Sequence, residues 1–124
     1  MFQHYAFIGP ESEWAAEATE CANEQGKFWE YHDKLFDNQG GENVGAFSKA
    51  NLKRFAAEMK LDTAAFNACL DSDKYLAKVR ADTAQSSSMG VNSTPTLFIN
   101  GRMLEGAPPY DQLAQLLNSM LPKP

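Results

Sequence analysis

At 124 residues, with 44% apolar and 22% charged residues, the chain has the size and composition of one ordinary globular domain. A formal charge of −5 and 11 scattered basic residues work against a phosphate backbone, which disfavours nucleic-acid binding. No apolar stretch approaches the roughly 20 residues that a membrane-spanning helix needs, so no membrane segment is expected.

In chain order, "FQHYAFIG" alternates aromatic and apolar residues and stops at Gly9-Pro10, which predicts a buried strand over residues 1–9. From Ser12, a plausible N-cap, Trp14, Ala18 and Cys21 recur at helical spacing, and Gly26 can end the run. A second amphipathic stretch puts Phe28, Trp29, His32 and Phe36 near one face, and the Phe28, Trp29, Tyr31 and Phe36 cluster is expected in the core. Ser48 caps a helix with Leu52, Phe55, Ala56 and Met59 inward, and Asp62 caps a short helix carrying Phe66, Cys69 and Leu70. Tyr75, Leu76, Val79 and Thr83 mark a longer helix that runs toward Gly90.

The period then changes. "TPTLFINGRMLEG" holds two short apolar runs around Asn100-Gly101, the pair favoured in a type I′ turn because both residues accept positive φ, so an antiparallel hairpin is predicted. "PPYDQLAQLLNSML" reads as a closing helix with Leu113, Leu116, Leu117 and Met120 inward and Pro109 in its first turn. The order is strand, helices, hairpin, helix: an α/β chain with a large helical insertion.

Three segments together, "EWAAEATECANEQGKFWEYHDKLF", "LDTAAFNACLDSDKYLAKVRAD" and "GVNSTPTLFINGRMLEGAPPYDQL", resemble the DsbA-like thiol-disulfide oxidoreductases, thioredoxin-fold proteins with a helical domain inserted. The resemblance covers essentially the whole chain. It implies an incomplete thioredoxin-like fold: a strand at 1–9, a helical insertion at 11–90, and a stretch at 91–124 with a cis-proline loop, hairpin and C-terminal helix. The family opens its first helix with Cys-x-x-Cys, which supplies a thiolate of lowered pKa and a resolving cysteine one turn away. That pair has no counterpart in this sequence, so disulfide exchange by the chain alone is not expected. The first family strand is likewise without a counterpart, which predicts a gap in the sheet. Three repairs are open: the "FQHYAFIG" strand moves over to pair with the hairpin, a second copy of the chain docks or swaps in, or another polypeptide supplies the missing strand and helix; self-association as a homodimer is the expected one.

By the same resemblance, Thr94-Pro95 is the cis-proline loop, whose free backbone can pair with an extended peptide. An alternative function follows from that loop: a non-enzymatic module that binds a peptide or partner there and along an open sheet edge. Cys21 and Cys69 stand on predicted inward stripes 48 positions apart. A structural disulfide is the leading expectation, with two buried thiols and a redox switch as the alternatives. His4 and His32 read as packed, hydrogen-bonded histidines. No pair of soft ligands has metal-binding spacing, so neither metal nor cofactor is expected. The family is largely extracytoplasmic, whereas "MFQHYAFIGPESEW" has no export-signal pattern, leaving the compartment open.

Overall fold

A computed structural model describes residues 1–122; the last two positions of the expected C-terminal stretch lie outside the described residues. In order come α1 (Pro10–Asn23), α2 (Phe28–Asp37), α3 (Lys49–Glu58), α4 (Thr63–Asp71), α5 (Leu76–Ser88), β1 (Thr96–Ile99), β2 (Arg102–Glu105) and α6 (Tyr110–Ser119). They fall into two compact units, Met1–Ser88 and Met89–Pro124.

The first unit is built on the inward stripes of α1 to α4. Ala18, Cys21 and Ala22 of α1 meet Tyr31 and Leu35 of α2, Leu52 and Phe55 of α3, and Phe66 and Leu70 of α4. Burying each large apolar side chain of this set contributes about 1.5 to 3 kcal/mol. The phenol of Tyr31, fully buried, donates to the Leu52 carbonyl at 2.8 Å, so its one polar atom is not stranded in the core. Ser48 and Asp62 cap α3 and α4 as expected, accepting from the Asn51 and Ala65 N–H groups at 3.2 and 3.1 Å. Helix α1 begins earlier than expected: Gly9, not Ser12, is its N-cap, because Pro10 fits the first helical position, where its missing N–H costs nothing. Glu11, in that first turn, accepts from the N–H groups of Gly45 and Phe47 and fastens the loop between α2 and α3.

Two sequence expectations fail in this unit. Residues 1–9 are not assigned a strand; among the described residues the sheet is β1 and β2 alone. Phe2, Phe7 and Ile8 are exposed, and the segment makes hydrogen bonds to α5. The His4 N–H donates to Asp82 Oδ2 at 3.4 Å, the Ala6 N–H to Thr83 Oγ1 at 3.0 Å, and Gln3 Nε2 to the Asp82 carbonyl at 3.1 Å. Apolar alternation fixes which residues could share a face, but a ladder also needs a neighbouring strand, which the local pattern does not supply. The second failure lies in the aromatic cluster. Tyr31 is fully buried, yet Trp29 and Phe36 are 57% and 70% exposed. Trp29 and Phe36 stand seven positions apart, one full repeat of a helix face, and that face looks outward.

In the second unit β1 and β2 pair antiparallel, with Leu97 opposite Leu104 and Phe98 opposite Met103. Asn100 and Gly101 turn the hairpin at φ of 50° and 82°, as their residue types predict. Helix α6 follows Pro109, which sits at its N-cap, and Leu113 and Leu116 are half-buried on one side of it.

Candidate functional site

The Thr94-Pro95 loop lies directly before β1, in the second unit. The peptide bond between the two residues is cis, and both are exposed. The loop is pinned on either side of the Thr94 backbone: Thr96 Oγ1 donates to the Ser93 carbonyl at 2.7 Å, and the Gly106 N–H donates to the Pro95 carbonyl at 2.7 Å. Among the described residues, the Thr94 N–H and carbonyl have no hydrogen-bond partner. A free donor and acceptor on one residue beside a strand end form the minimal edge onto which an extended chain can add.

Cys21 of α1 and Cys69 of α4 are joined in a disulfide with Cα atoms 5.9 Å apart. They are 2% and 7% exposed, so an attacking thiolate has little access to either sulfur. Beside Cys69, the Glu24 carboxylate accepts from Lys74 Nζ at 2.6 Å and Tyr75 Oη at 2.9 Å, with Cys69 Sγ 3.7 Å away. The Lys74 and Tyr75 hydrogen bonds hold the Glu24 carboxyl below its usual range. A carboxylate next to a sulfur opposes thiolate formation there, the reverse of what an exchange centre requires.

Of two buried titratable groups, His4 is expected from the sequence as a packed histidine and Glu17 is not legible there. Glu17 of α1 is fully buried, and neither carboxylate oxygen has a hydrogen-bond partner. Burial, reinforced by the nearby Asp73 carboxylate, raises its pKa to about 7 despite the opposing charge of Lys49. His4 is buried with Nε2 2.9 Å from Glu20 Oε1, and Lys78 Nζ approaches the same oxygen at 3.6 Å. His32 pairs at the surface with Asp33 at 3.1 Å. Among the described residues, no group of three or more His, Cys, Asp or Glu could hold a metal ion. The structure therefore joins the two cysteines and places Thr94-Pro95 in the other compact unit.

A family model described as thioredoxin matches residues 1–119. The chain is 39% identical over 97 residues to a Na(+)/H(+) antiporter NhaA of Herminiimonas arsenicoxydans, an alignment that takes in 78% of this chain and 14% of that protein. It is 26% identical over 125 residues to disulfide bond formation protein D of Bacillus subtilis (strain 168), covering 97% of this chain and 55% of that one. The chain thus spans a small part of the antiporter and about half of the disulfide-forming relative. A crystal structure of a thioredoxin-like oxidoreductase from Silicibacter pomeroyi DSS-3 matches with a TM-score of 0.77 over 94% of this chain and 65% of that one, at 23% identity. The fold is thioredoxin-like, with a small antiparallel sheet and a large helical part.

Proposed function

The chain belongs to the thioredoxin family, and on that premise we propose that these 124 residues hold the substrate side of a thiol-disulfide oxidoreductase and exchange no disulfides by themselves. One observation carries the reading: the two cysteines of the sequence are bonded to each other, buried, and 48 positions apart. Dithiol exchange needs an accessible thiolate with a resolving partner close by, and a buried bridge between two helices offers neither. The role left to the chain is to present an extended polypeptide to a dithiol, through the free backbone of Thr94 beside Pro95. The name of the Bacillus subtilis relative accords with such a role. The ion transport named for the antiporter relative is not carried over. The match takes in 14% of that protein, and among the described residues no helix is long and apolar enough to cross a membrane.

The test is insulin reduction by dithiothreitol, followed as turbidity. The reading expects the same onset time with and without the protein. A concentration-dependent acceleration, abolished by Cys69→Ser, would overturn it.

The hairpin favours a second reading, a non-enzymatic binding module. Phe98 and Met103 are cross-strand neighbours on one face and are 42% and 37% exposed. Apolar side chains paired in this way gain from being covered, and a second copy of the chain or an extended peptide would cover them. Sedimentation at micromolar concentration should then show a homodimer that Phe98→Ser weakens. A monomer unaffected by that substitution would remove the support.

A further inference from the structure

In the first unit, the C-terminal end of α1, the start of α2 and the N-terminal segment line an open cavity of about 400 Å³ whose lining includes Phe2, Glu20, Asn23, Phe28, Trp29 and Glu30. Its three rings stand close to perpendicular to one another: Phe2 to Phe28 at 67°, Phe2 to Trp29 at 89° and Phe28 to Trp29 at 79°, with centroids 5.0 to 5.7 Å apart. Phe2 and Trp29 are 43% and 57% exposed, an unusual degree for rings that could have packed inward.

The titratable side chains of the lining are both glutamates. Glu20 and Glu30 present carboxylates; Glu20 is already braced by His4 and Lys78, whereas Glu30 has no cationic partner among the described residues. Lys27, the basic residue next to Phe28 in sequence, is not part of the lining. Aromatic walls beside the unpaired Glu30 carboxylate disfavour an anion and leave a neutral apolar group facing a charge. They attract a cation, which ring faces hold within about 6 Å of their centroids.

We infer that this cavity takes the side chain of an arginine or lysine carried on an extended segment of another polypeptide. A polypeptide fits better than a free cation because the aromatic surface continues beyond the cavity. Trp29 contacts His32 at 5.2 Å between centroids and His32 contacts Phe36 at 4.8 Å, forming a strip along α2 that ends on a ring 70% exposed. A residue flanking the inserted cation would lie over that strip, and the net charge of −5 favours the approach of a basic segment. The inference does not depend on the Thr94-Pro95 loop, and its test uses different residues.

The probes are acetyl-Leu-Arg-Leu-amide, the same peptide with citrulline in place of arginine, and acetyl-arginine-amide. Each is titrated into the whole chain with the indole N–H signals followed by NMR, and Trp29 is identified by its loss in Trp29→Ala. The arginine peptide should saturate and shift the Trp29 signal, binding about tenfold more tightly than the citrulline peptide and than acetyl-arginine-amide. Trp29→Ala should weaken it by a similar factor, Phe36→Ala should remove the advantage of the peptide over the amide, and Glu30→Gln should weaken it a few-fold. Equal binding of the citrulline and arginine peptides, or no shift of Trp29 at millimolar peptide, overturns the inference. Acetyl-arginine-amide binding as tightly as the peptide overturns the polypeptide source. Should Trp29→Ala lose its fold, the citrulline comparison and Glu30→Gln decide.

Discussion

Glu17 illustrates how one residue can set a property of the whole chain. Helical spacing from Trp14 puts it at i+3 and four positions before Cys21, on the same inward stripe, but its charge argues for the surface, so sequence pattern alone gives two opposed answers. The structure resolves the conflict in favour of geometry, at the cost of an unpartnered buried carboxyl whose pKa rises from 4.5 to about 7. Below pH 4.5 both folded and unfolded chains hold the proton and the group contributes nothing to pH dependence. As pH rises toward 7 the unfolded chain releases it first, so stability falls across that window and levels off above it. The loss is on the order of 3 kcal/mol as a ceiling. Glu24 works in the opposite sense: with its pKa lowered by Lys74 and Tyr75, its contribution is present above the ordinary carboxylate range and is lost only as pH falls through its folded value. Urea midpoints of wild type and Glu17→Gln, measured at pH 5 and pH 8, should therefore diverge, with the variant gaining stability relative to wild type at pH 8. Parallel behaviour of the two proteins would mean that Glu17 is not the titrating group.

Between elements, the Cys21–Cys69 disulfide ties α1 to α4, and Tyr31 ties α2 to α3 through Leu52. The disulfide closes a loop of about 49 residues, for which chain entropy gives about 4 kcal/mol. Cys21→Ser with Cys69→Ser should lower stability by roughly that much while leaving the helical circular dichroism in place at low temperature; a change below about 1 kcal/mol would mean that the bridge adds little to the packed helices. Tyr31→Phe keeps the ring and deletes the hydroxyl, so a loss of about 1 kcal/mol in the denaturation free energy is expected. No loss would show that the Leu52 carbonyl is content with its helical partner. At this scale much was legible. Ser48 and Asp62 carry the cap chemistry, Asn100-Gly101 carries the turn, and apolar spacing marks α3 and α4, because each signal depends on residues within one or two turns of chain. What was not legible depends on distant residues. The segment "FQHYAFIG" bonds to Asp82 and Thr83, 78 and 77 positions away, and the exposure of Trp29 and Phe36 is decided by what the rest of the chain leaves uncovered.

At the scale of the whole molecule, the chain has the thioredoxin family's fold and a free Thr94 backbone beside Pro95, while its cysteines form a bridge inside the helical part. The sequence carries the family through residue combinations spread over three segments, and it places both cysteines on inward faces. Their distance in space, 5.9 Å between Cα atoms, is a tertiary fact that spacing of 48 residues cannot contain. On the proposed function this bridge is architecture and takes no part in exchange. The most direct measurement equilibrates the protein in redox buffers of graded potential, traps free thiols by alkylation and counts them by mass. A buried structural disulfide should stay closed until the potential falls below about −300 mV. Opening between about −120 and −230 mV, the range of exchange-active dithiols, would make Cys21 and Cys69 a working redox pair and contradict the account.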